Sequence, residues 1–219
     1  MKHLFTASAI AVLLMAGSAA AHDPEDVNRD VVADFDFNDF DSIKIEGVYL
    51  LDIRQGDTFS VRTEATEDEA KLQEVTLNGR TLVLGSRKSG WKKNNNSHGV
   101  QATITLPRLV DLDVTGVATG VVSAFAGGNV DVDIAGVSDL TLSGICDRLD
   151  IDLAGVGDVN AEDLVCDDVD ADMGGVGSIS VYAAKSIDAD AGGIGSIEVY
   201  GNPDQRSVDD GFMAKVKFR

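Results

Sequence analysis

The stretch from residue 130 to residue 158, VDVDIAGVSDLTLSGICDRLDIDLAGVGD, contains the repeat that decides the fold. Twice within it, two aspartates separated by one apolar residue precede a glycine turn, and the same phrase occurs five times in the second half of the chain. The five phrases are Asp111-Leu-Asp113, Asp131-Val-Asp133, Asp150-Ile-Asp152, Asp170-Ala-Asp172 and Asp188-Ala-Asp190. Their second aspartates are 20, 19, 20 and 18 residues apart. A period near 20 residues with two short strands per unit is typical of a solenoid in which each unit forms one coil.

The apolar residues within each unit follow the two-residue period of strands. From Val130 to Ile134, apolar residues alternate with aspartates, as expected where one face of a strand is buried and the other is exposed. A second alternating run follows each glycine turn, and no 3.6-residue period runs through this region. The sequence therefore predicts a single all-β domain folded as a parallel β-helix, with about 20 residues per coil.

The glycine turns are expected to form the corners of the coils. A turn with a positive φ favours glycine, which has no Cβ. The β-branched residue after each glycine is expected to point inward and fill the corner. The corner glycines are Gly116, Gly136, Gly155, Gly175 and Gly193, and the residues that follow them are Val117, Val137, Val156, Val176 and Ile194.

The beginning of the chain is typical of a secretory signal peptide. Lys2 precedes an apolar run that is too short to span a bilayer, and small residues lead to a cleavage position after Ala21. The mature chain contains no other candidate transmembrane segment. We therefore expect an exported protein in the periplasm or at the cell surface.

Composition divides the rest of the chain into a leader, one domain and a tail. The acidic stretch before residue 40 is weakly patterned and is expected to be partly disordered. The first part of the domain has β patterns without the aspartate repeat, and Asn78-Gly79 predicts a hairpin there. The predicted parts are the signal peptide at 1–21, the acidic leader or linker at 22–39, the domain at 40–204 (irregular β structure at 40–107, regular coils at 108–204) and a C-terminal tail at 205–219.

Several motifs in order resemble the head GIN domain family of putative auto-transporter adhesins. They are Phe40-Asp-Ser-Ile43, Gly47-Val48, Asp52-Ile-Arg-Gln-Gly56, the turn Gly155-Val-Gly-Asp158 and the terminal Val199-Tyr-Gly-Asn-Pro203. The resemblance covers about residues 40–203. It implies a right-handed parallel β-helix, an adhesion-type binding role and no established enzymatic activity.

Two columns of aspartates are expected on one outer face of the coils. If the apolar residues of each phrase point inward, the aspartates point outward and stack from coil to coil at about 4.8 Å. Two unit charges at that distance repel by about 0.9 kcal/mol in water before screening by salt. The face is thus either a solvated surface that keeps a long sheet soluble, with raised carboxyl pKa values relieving the repulsion, or a cation-binding surface.

Calcium is the cation that would suit such a face. Ca²⁺ prefers hard oxygen ligands, and extracellular modules bind it at about 10⁻⁴–10⁻³ M. No cofactor is required by the sequence, so Ca²⁺ is a possible addition to a fold that forms without it. The candidate metal ligands are the aspartates of the central coils: Asp131, Asp133, Asp150, Asp152, Asp170 and Asp172.

The two cysteines are separated by one full repeat. Cys146 and Cys166 each begin a Cys-Asp-x-x-Asp string, so stacking places their Cα atoms about 4.8 Å apart, within the range of a disulfide. Exported proteins meet an oxidising compartment. We predict a disulfide between adjacent coils that stabilises the fold by about 3 kcal/mol. The alternative is a pair of neighbouring free thiols.

One basic segment interrupts the acidic composition. It contains four cations and the single tryptophan of the chain, namely Arg87, Lys88, Trp91, Lys92 and Lys93. Such a segment could contact an anionic surface, such as a cell-surface glycan or the acidic sheet of an envelope protein, with the indole stacked on a sugar ring. The alternative is a solvated loop whose tryptophan covers the end of the β-helix.

Most catalytic functions are disfavoured by the same sequence. Polysaccharide lyases with this fold need a basic residue in a cleft walled by long loops, whereas these coils keep to 18–20 residues. The mature chain has only His22 and His98, which makes a Ser-His-Asp site improbable. A net charge of −19 argues against nucleic acid. We expect a non-catalytic binding or adhesion module; the alternatives are a lyase-like carbohydrate-active enzyme and a purely structural assembly protein.

Overall fold

The computed structural model describes residues 28–87 and 98–219, and the strands of these residues form one sixteen-stranded sheet wound into a β-solenoid. The predicted signal peptide lies outside the described residues. The sheet is parallel except where β1 pairs with β4, β4 with β7 and β5 with β6. Its elements before the regular coils are β1 Val31–Phe35, β2 Ser42–Ile45, β3 Val48–Gln55, β4 Ser60–Ala65, α1 Glu67–Leu72, β5 Gln73–Asn78, β6 Thr81–Ser86 and β7 Val100–Leu106.

The regular coils follow the predicted period. Val132 lies beside Ile151, and Ile151 lies beside Ala171, each one coil further along the axis. All three side chains are buried in a continuous apolar interior, so the predicted parallel β-helix is confirmed. The strands of this part are β8 Asp111–Val114, β9 Val117–Ala126, β10 Asn129–Ile134, β11 Val137–Leu153, β12 Val156–Asp172, β13 Val176–Ala191, β14 Ile194–Tyr200, β15 Gln205–Asp210 and β16 Met213–Phe218.

The predicted hairpin forms at the start of the domain. β5 and β6 pair antiparallel up to Asn78 and Thr81, and Gly79 adopts a φ of +65° between them. β6 then joins β2, which in turn lies beside β8 of the first regular coil. The irregular part is therefore built onto the end of the same solenoid.

The predicted leader contains a strand. β1 pairs antiparallel with β4 over five residues, from Val31 opposite Ala65 to Phe35 opposite Val61. Ala33 is buried beneath this pairing, and the rings of Phe35 and Phe37 stack with their centroids 5.7 Å apart. Sequence analysis did not predict this strand, because a strand that pairs with a distant partner leaves little trace in local composition.

The predicted C-terminal tail forms the last coil. β15 pairs with β13 and β16 with β14, both parallel and in register. Arg206 and Asp210 stand opposite the inward-pointing Ile187 and Ala191, so charged residues occupy positions that are apolar in the other coils. This departure from apolar alternation made the segment look like a tail.

Those two charged residues close the interior. The Arg206 guanidinium lies 4.3 Å from the centroid of the Phe218 ring and donates to the carbonyl of Pro203. Asp210 accepts a 2.8 Å hydrogen bond from the backbone N–H of Val216. Inward-pointing charges discourage the addition of further strands at a sheet end, so the last coil acts as a cap.

The corner glycines are required by close packing of backbones and not by a positive φ. None of the five corner glycines has a positive φ. A Cβ on Gly155 would lie 2.1 Å from the carbonyl oxygen of Gly136 in the preceding coil, and the other four corners are equally tight. The positive φ falls instead on the second glycine of some turns, as at Gly157, where it is +154°.

The β-branched residues after these glycines point outward, contrary to the prediction. Val137 is 49% exposed and Val156 is 52% exposed. The reason is the two-residue period: at the start of β11 the buried positions are Ser138, Leu140 and Leu142, which leaves Val137 on the outer face.

Candidate binding surfaces

The two predicted aspartate columns lie side by side on one outer face. Each aspartate stands opposite its counterpart in the next coil. The columns are Asp111, Asp131, Asp150, Asp170 and Asp188 in the first, and Asp113, Asp133, Asp152, Asp172 and Asp190 in the second. We call these ten residues the acidic face. Because the intervening apolar residues fill the interior, every carboxylate is directed away from the core.

Desolvation, together with the charges of neighbouring aspartates, raises several carboxyl pKa values on the acidic face. Desolvation is the largest cause at Asp133, followed by the charges of Asp152 and Asp113 in the neighbouring coils. Asp172 behaves in the same way, with desolvation first and Asp190 second. The pKa values of Asp111 and Asp170 are also raised, chiefly by desolvation. The expectation of raised pKa values is thus confirmed in direction.

Two cations lie at the acidic face that the sequence argument did not place there. Arg148 Nη2 lies 3.0 Å from a carboxylate oxygen of Asp170 and 3.5 Å from one of Asp150. Lys44 Nζ lies 2.6 Å from Asp113, because β2 extends the face beyond β8. Counting by twos along the strand would have found Arg148, since positions 148, 150 and 152 share one side.

The six candidate calcium ligands are therefore not equivalent. Asp150 and Asp170 already pair with Arg148. Asp133, Asp152 and Asp172 stand opposite one another in three successive coils, and Asp131 stands opposite Asp150. Within residues 28–87 and 98–219, no three His, Cys, Asp or Glu side chains converge closely enough to hold one ion. Calcium binding stays a prediction.

The predicted disulfide is present. Cys146 on β11 and Cys166 on β12 stand opposite each other in adjacent coils and are bonded, with their Cα atoms 4.5 Å apart. Both residues are buried. The bond therefore links two successive coils in the interior. It lies in the part of each coil that comes after the glycine corner in the sequence.

The described residues on either side of positions 88–97, Arg87 and His98, lie beside the short helix α1. The backbone N–H of Arg87 donates to the carbonyl of Leu72, and that of His98 donates to Glu69 Oε1 at 2.9 Å. Glu69 is itself held by the capping box that it forms with Thr66. Arg87 is exposed. The other predicted contact residues, Lys88, Trp91, Lys92 and Lys93, lie outside the described residues.

An exposed apolar stripe runs along the glycine corner. Its members occupy equivalent positions in successive coils, each opposite the next. We call it the corner stripe: Val117, Val137, Val156, Val176, Ile194 and Met213. The glycines and alanines that precede these residues form a shallow groove beside it. Sequence analysis missed this surface because it assigned the β-branched residues to the interior.

The sequence of the domain matches one known family. Residues 39–203 match the family described as "Putative auto-transporter adhesin, head GIN domain". The chain belongs to this head GIN domain family. The resemblance inferred from the sequence motifs is thereby confirmed, and the matched residues coincide closely with the predicted domain at 40–204.

A solved structure shares the fold of this head GIN domain. A crystal structure of a "putative adhesin" from Bacteroides fragilis is 24% identical, with a TM-score of 0.65, and the alignment covers 86% of this chain and 96% of that one. A "putative lipid binding protein" from Parabacteroides distasonis is 19% identical over 85% of this chain and 96% of that one, with a TM-score of 0.43. No curated protein matches the chain.

The head GIN match leaves the two ends of the described solenoid outside its limits. β1 precedes residue 39, and β15 and β16 follow residue 203, yet all three strands are paired into the sheet. Across residues 28–87 and 98–219, no helix has the length and apolar character needed to cross a membrane.

Proposed function

We propose that the protein is a non-catalytic, exported binding module of the adhesion type. The observation that carries this proposal is the family match over residues 39–203. The structure supports it with a solenoid whose outer surface carries two separate chemical features, the acidic face and the corner stripe. Residues on a rigid scaffold can bind with little loss of conformational entropy.

We assign glycan or envelope-protein recognition to the basic segment. Its four cations are concentrated in a chain of net charge −19, and the backbone of Arg87 at its start is hydrogen-bonded to α1. Anionic glycans would be attracted to such a cluster, and an indole can stack on a sugar ring.

A glycan array tests this assignment. The purified protein should bind acidic glycans, and a variant with Arg87, Lys88, Lys92 and Lys93 changed to Gln and Trp91 to Ala should lose that binding at least tenfold. Lys215→Gln with Lys217→Gln removes cations elsewhere and is the matched control. Equal binding by the segment variant and the wild type would reject the assignment. Unsaturated products absorbing at 235 nm in the same incubations would reject a non-catalytic role.

We further propose that Ca²⁺ binds between carboxylates of adjacent coils on the acidic face. Asp133 and Asp152 stand opposite each other, and their pairing in register offers oxygen ligands from both coils. Thermal melts at constant ionic strength should show a higher Tm in about 1 mM Ca²⁺ than in EDTA. Asp133→Asn with Asp152→Asn should abolish the difference, whereas Asp163→Asn with Asp167→Asn, outside both columns, should not. Identical melting in Ca²⁺ and EDTA would remove the proposal.

A further inference from the structure

The corner stripe is a regular ladder of exposed apolar side chains. Its six residues lie on six neighbouring rungs of the parallel sheet, spaced by about 4.8 Å, which gives a length of about 24 Å. At its C-terminal end Phe212 is 99% exposed and adjoins Met213. Contiguous apolar surface of this kind marks interaction sites in soluble proteins.

The glycine corner makes the stripe accessible from one side. The two residues before Val137, Val156, Val176 and Ile194 are glycine or alanine, so no large side chain covers the backbone there and the β-branched side chains form the wall of a groove. The small residues along the groove are Ala135, Gly136, Ala154, Gly155, Gly174, Gly175, Gly192 and Gly193. A partner can therefore lie along the solenoid axis and contact several rungs at once.

Acidic residues border the groove along one side and at two central coils on the other side. Four residues before the stripe lies the second column of the acidic face, with Asp133 preceding Val137 and Asp152 preceding Val156. Two residues after the stripe, Asp139 and Asp158 are exposed on the outer side of their strands. The surface thus combines an apolar centre with negative margins, which calls for a partner with an apolar ridge and positive flanks.

The spacing of the rungs favours a helix as that partner. On an α-helix, apolar residues at alternating steps of three and four residues advance by about 5.3 Å along the axis. This is close to the rung spacing of about 4.8 Å, and the mismatch reaches only about 2 Å after four steps. An extended strand places residues of one side about 6.7 Å apart and loses register after one step.

We propose that the corner stripe binds a cationic amphipathic helix of a partner protein. The proposal rests on the proposed binding function and adds to it a second surface with a protein partner. A second copy of this chain is disfavoured because each copy carries a net charge of −19, and an anionic bilayer is disfavoured by the acidic margins.

Synthetic peptides test the proposal directly. The first is an 18-residue peptide of Leu and Lys with leucines at helical spacing; the second has the same composition with strict Leu-Lys alternation; the third replaces each leucine of the first with Ser. Fluorescence anisotropy should give a Kd for the first peptide at least tenfold lower than for the other two. Equal affinity for all three would mean that charge alone drives binding and would overturn the proposal, as would tighter binding of the alternating peptide.

Matched variants assign the binding to the corner stripe. Val137→Ser, Val156→Ser and Val176→Ser together should weaken binding of the helical peptide at least tenfold. Val121→Ser, Ile145→Ser and Val165→Ser replace residues of similar exposure elsewhere on the solenoid and should leave it unchanged. Equal losses in both variants would refute the assignment, and circular dichroism melts check that both remain folded.

Two further measurements distinguish the proposed helix from other occupants of the corner stripe and from glycan binding by the basic segment. The proposal would be overturned if the protein fails to bind the peptide but binds anionic vesicles, or self-associates in light scattering, in a way that depends on the stripe. The corner stripe would then be a binding surface for a membrane or for a second copy of the chain. The glycan array depends on the basic segment. A stripe that fails to bind the peptide therefore leaves that result intact, and a failed array leaves the peptide result intact.

Discussion

At each corner of the solenoid, the carbonyl oxygen of one coil occupies the space that a side chain of the next coil would need. The oxygen of Gly136 lies 2.1 Å from the position that a Cβ on Gly155 would take. Real Cβ atoms do not approach oxygen so closely, so any other residue forces adjacent coils apart. Glycine is needed here for distance, which explains why these positions show no positive φ.

Gly155→Ala should therefore destabilise the fold by about 1–3 kcal/mol, the usual cost of overpacking. Gly174 is the matched control. It lies next to another corner, has an ordinary φ, and a Cβ there would meet no atom within 4 Å. Gly174→Ala should be neutral or stabilise by about 0.4–1 kcal/mol, because alanine restricts the unfolded chain. Urea unfolding measures both, and similar losses in the two variants would contradict the close-packing explanation.

Individual aspartates of the acidic face make stability depend on pH in an unusual direction. The pKa values of Asp133 and Asp172 are raised in the folded protein. At pH values between the pKa in the unfolded chain and the higher pKa in the folded protein, the native state therefore binds more protons than the unfolded chain. Lowering the pH through this window therefore stabilises the protein. Asp41 and Glu198 act oppositely, because Arg80 and Arg219 lower their pKa values.

The Tm should accordingly rise as the pH falls toward the ordinary aspartate pKa of about 3.9, and it should drop at still lower pH, where the carboxylates with lowered pKa values become protonated. Asp133→Asn should raise the Tm at neutral pH and reduce the rise on acidification. Asp41→Asn should instead reduce the loss at low pH. A Tm that falls steadily from neutral pH down to the ordinary aspartate pKa would show that the acidic face does not control the profile.

Among the strands, β11 and β12 are joined by more than hydrogen bonds. The disulfide between Cys146 and Cys166 closes a loop that contains one full coil. In a solenoid each coil contacts only its neighbours. The disulfide therefore stabilises the middle of the array, and unfolding that starts at either end must proceed through these linked coils.

Replacing both cysteines with Ala should cost about 3 kcal/mol, which corresponds to a Tm lower by about 6–12 °C for a chain of this size. Reductant should lower the Tm of the wild type by a similar amount and should leave the double variant unchanged. Thiol titration of the denatured, unreduced wild type should find no reactive group. An equal response of both proteins to reductant would place its action elsewhere.

The regular strands could be predicted from sequence because one rule governs them. In β10, alternation alone places Val132 inward and Asp133 outward, and the period then fixes their neighbours in the next coil. The same alternation, counted back along the strand from the buried Leu140, places Val137 on the outer face. The opposite was predicted because valine is usually buried. β1 was missed for another reason, since its pairing with β4 depends on residues 30 positions away.

Taken as one body, the protein places ten aspartates on one face of a chain whose net charge is −19. Neighbours in each column are closer than the Debye length of about 8 Å at physiological salt, so screening there is incomplete. Arg148 and Lys44 offset only part of this repulsion. Self-repulsion therefore opposes the stability that the apolar interior provides.

Raising NaCl from about 0.02 M to about 0.5 M should increase the Tm, because screening weakens repulsion along the columns. A variant with Asp131, Asp133, Asp152 and Asp172 changed to Asn should start from a higher Tm and respond less to salt. Changing Asp163 and Asp167 to Asn removes charges outside the columns and should preserve most of the response. A Tm independent of NaCl in the wild type would show that the columns do not limit stability.

The charged closure formed by Arg206 and Asp210 also determines where the solenoid can be lengthened. A coil added after β16 would have to cover two ionised side chains, whereas a duplicate of residues 136–154 inserted in the middle would meet only surfaces like its own. A longer solenoid should therefore be engineered by inserting new coils between Gly136 and Gly155 and keeping the last coil in place. Each inserted coil would lengthen the solenoid by about 4.8 Å and add two carboxylates to the acidic face.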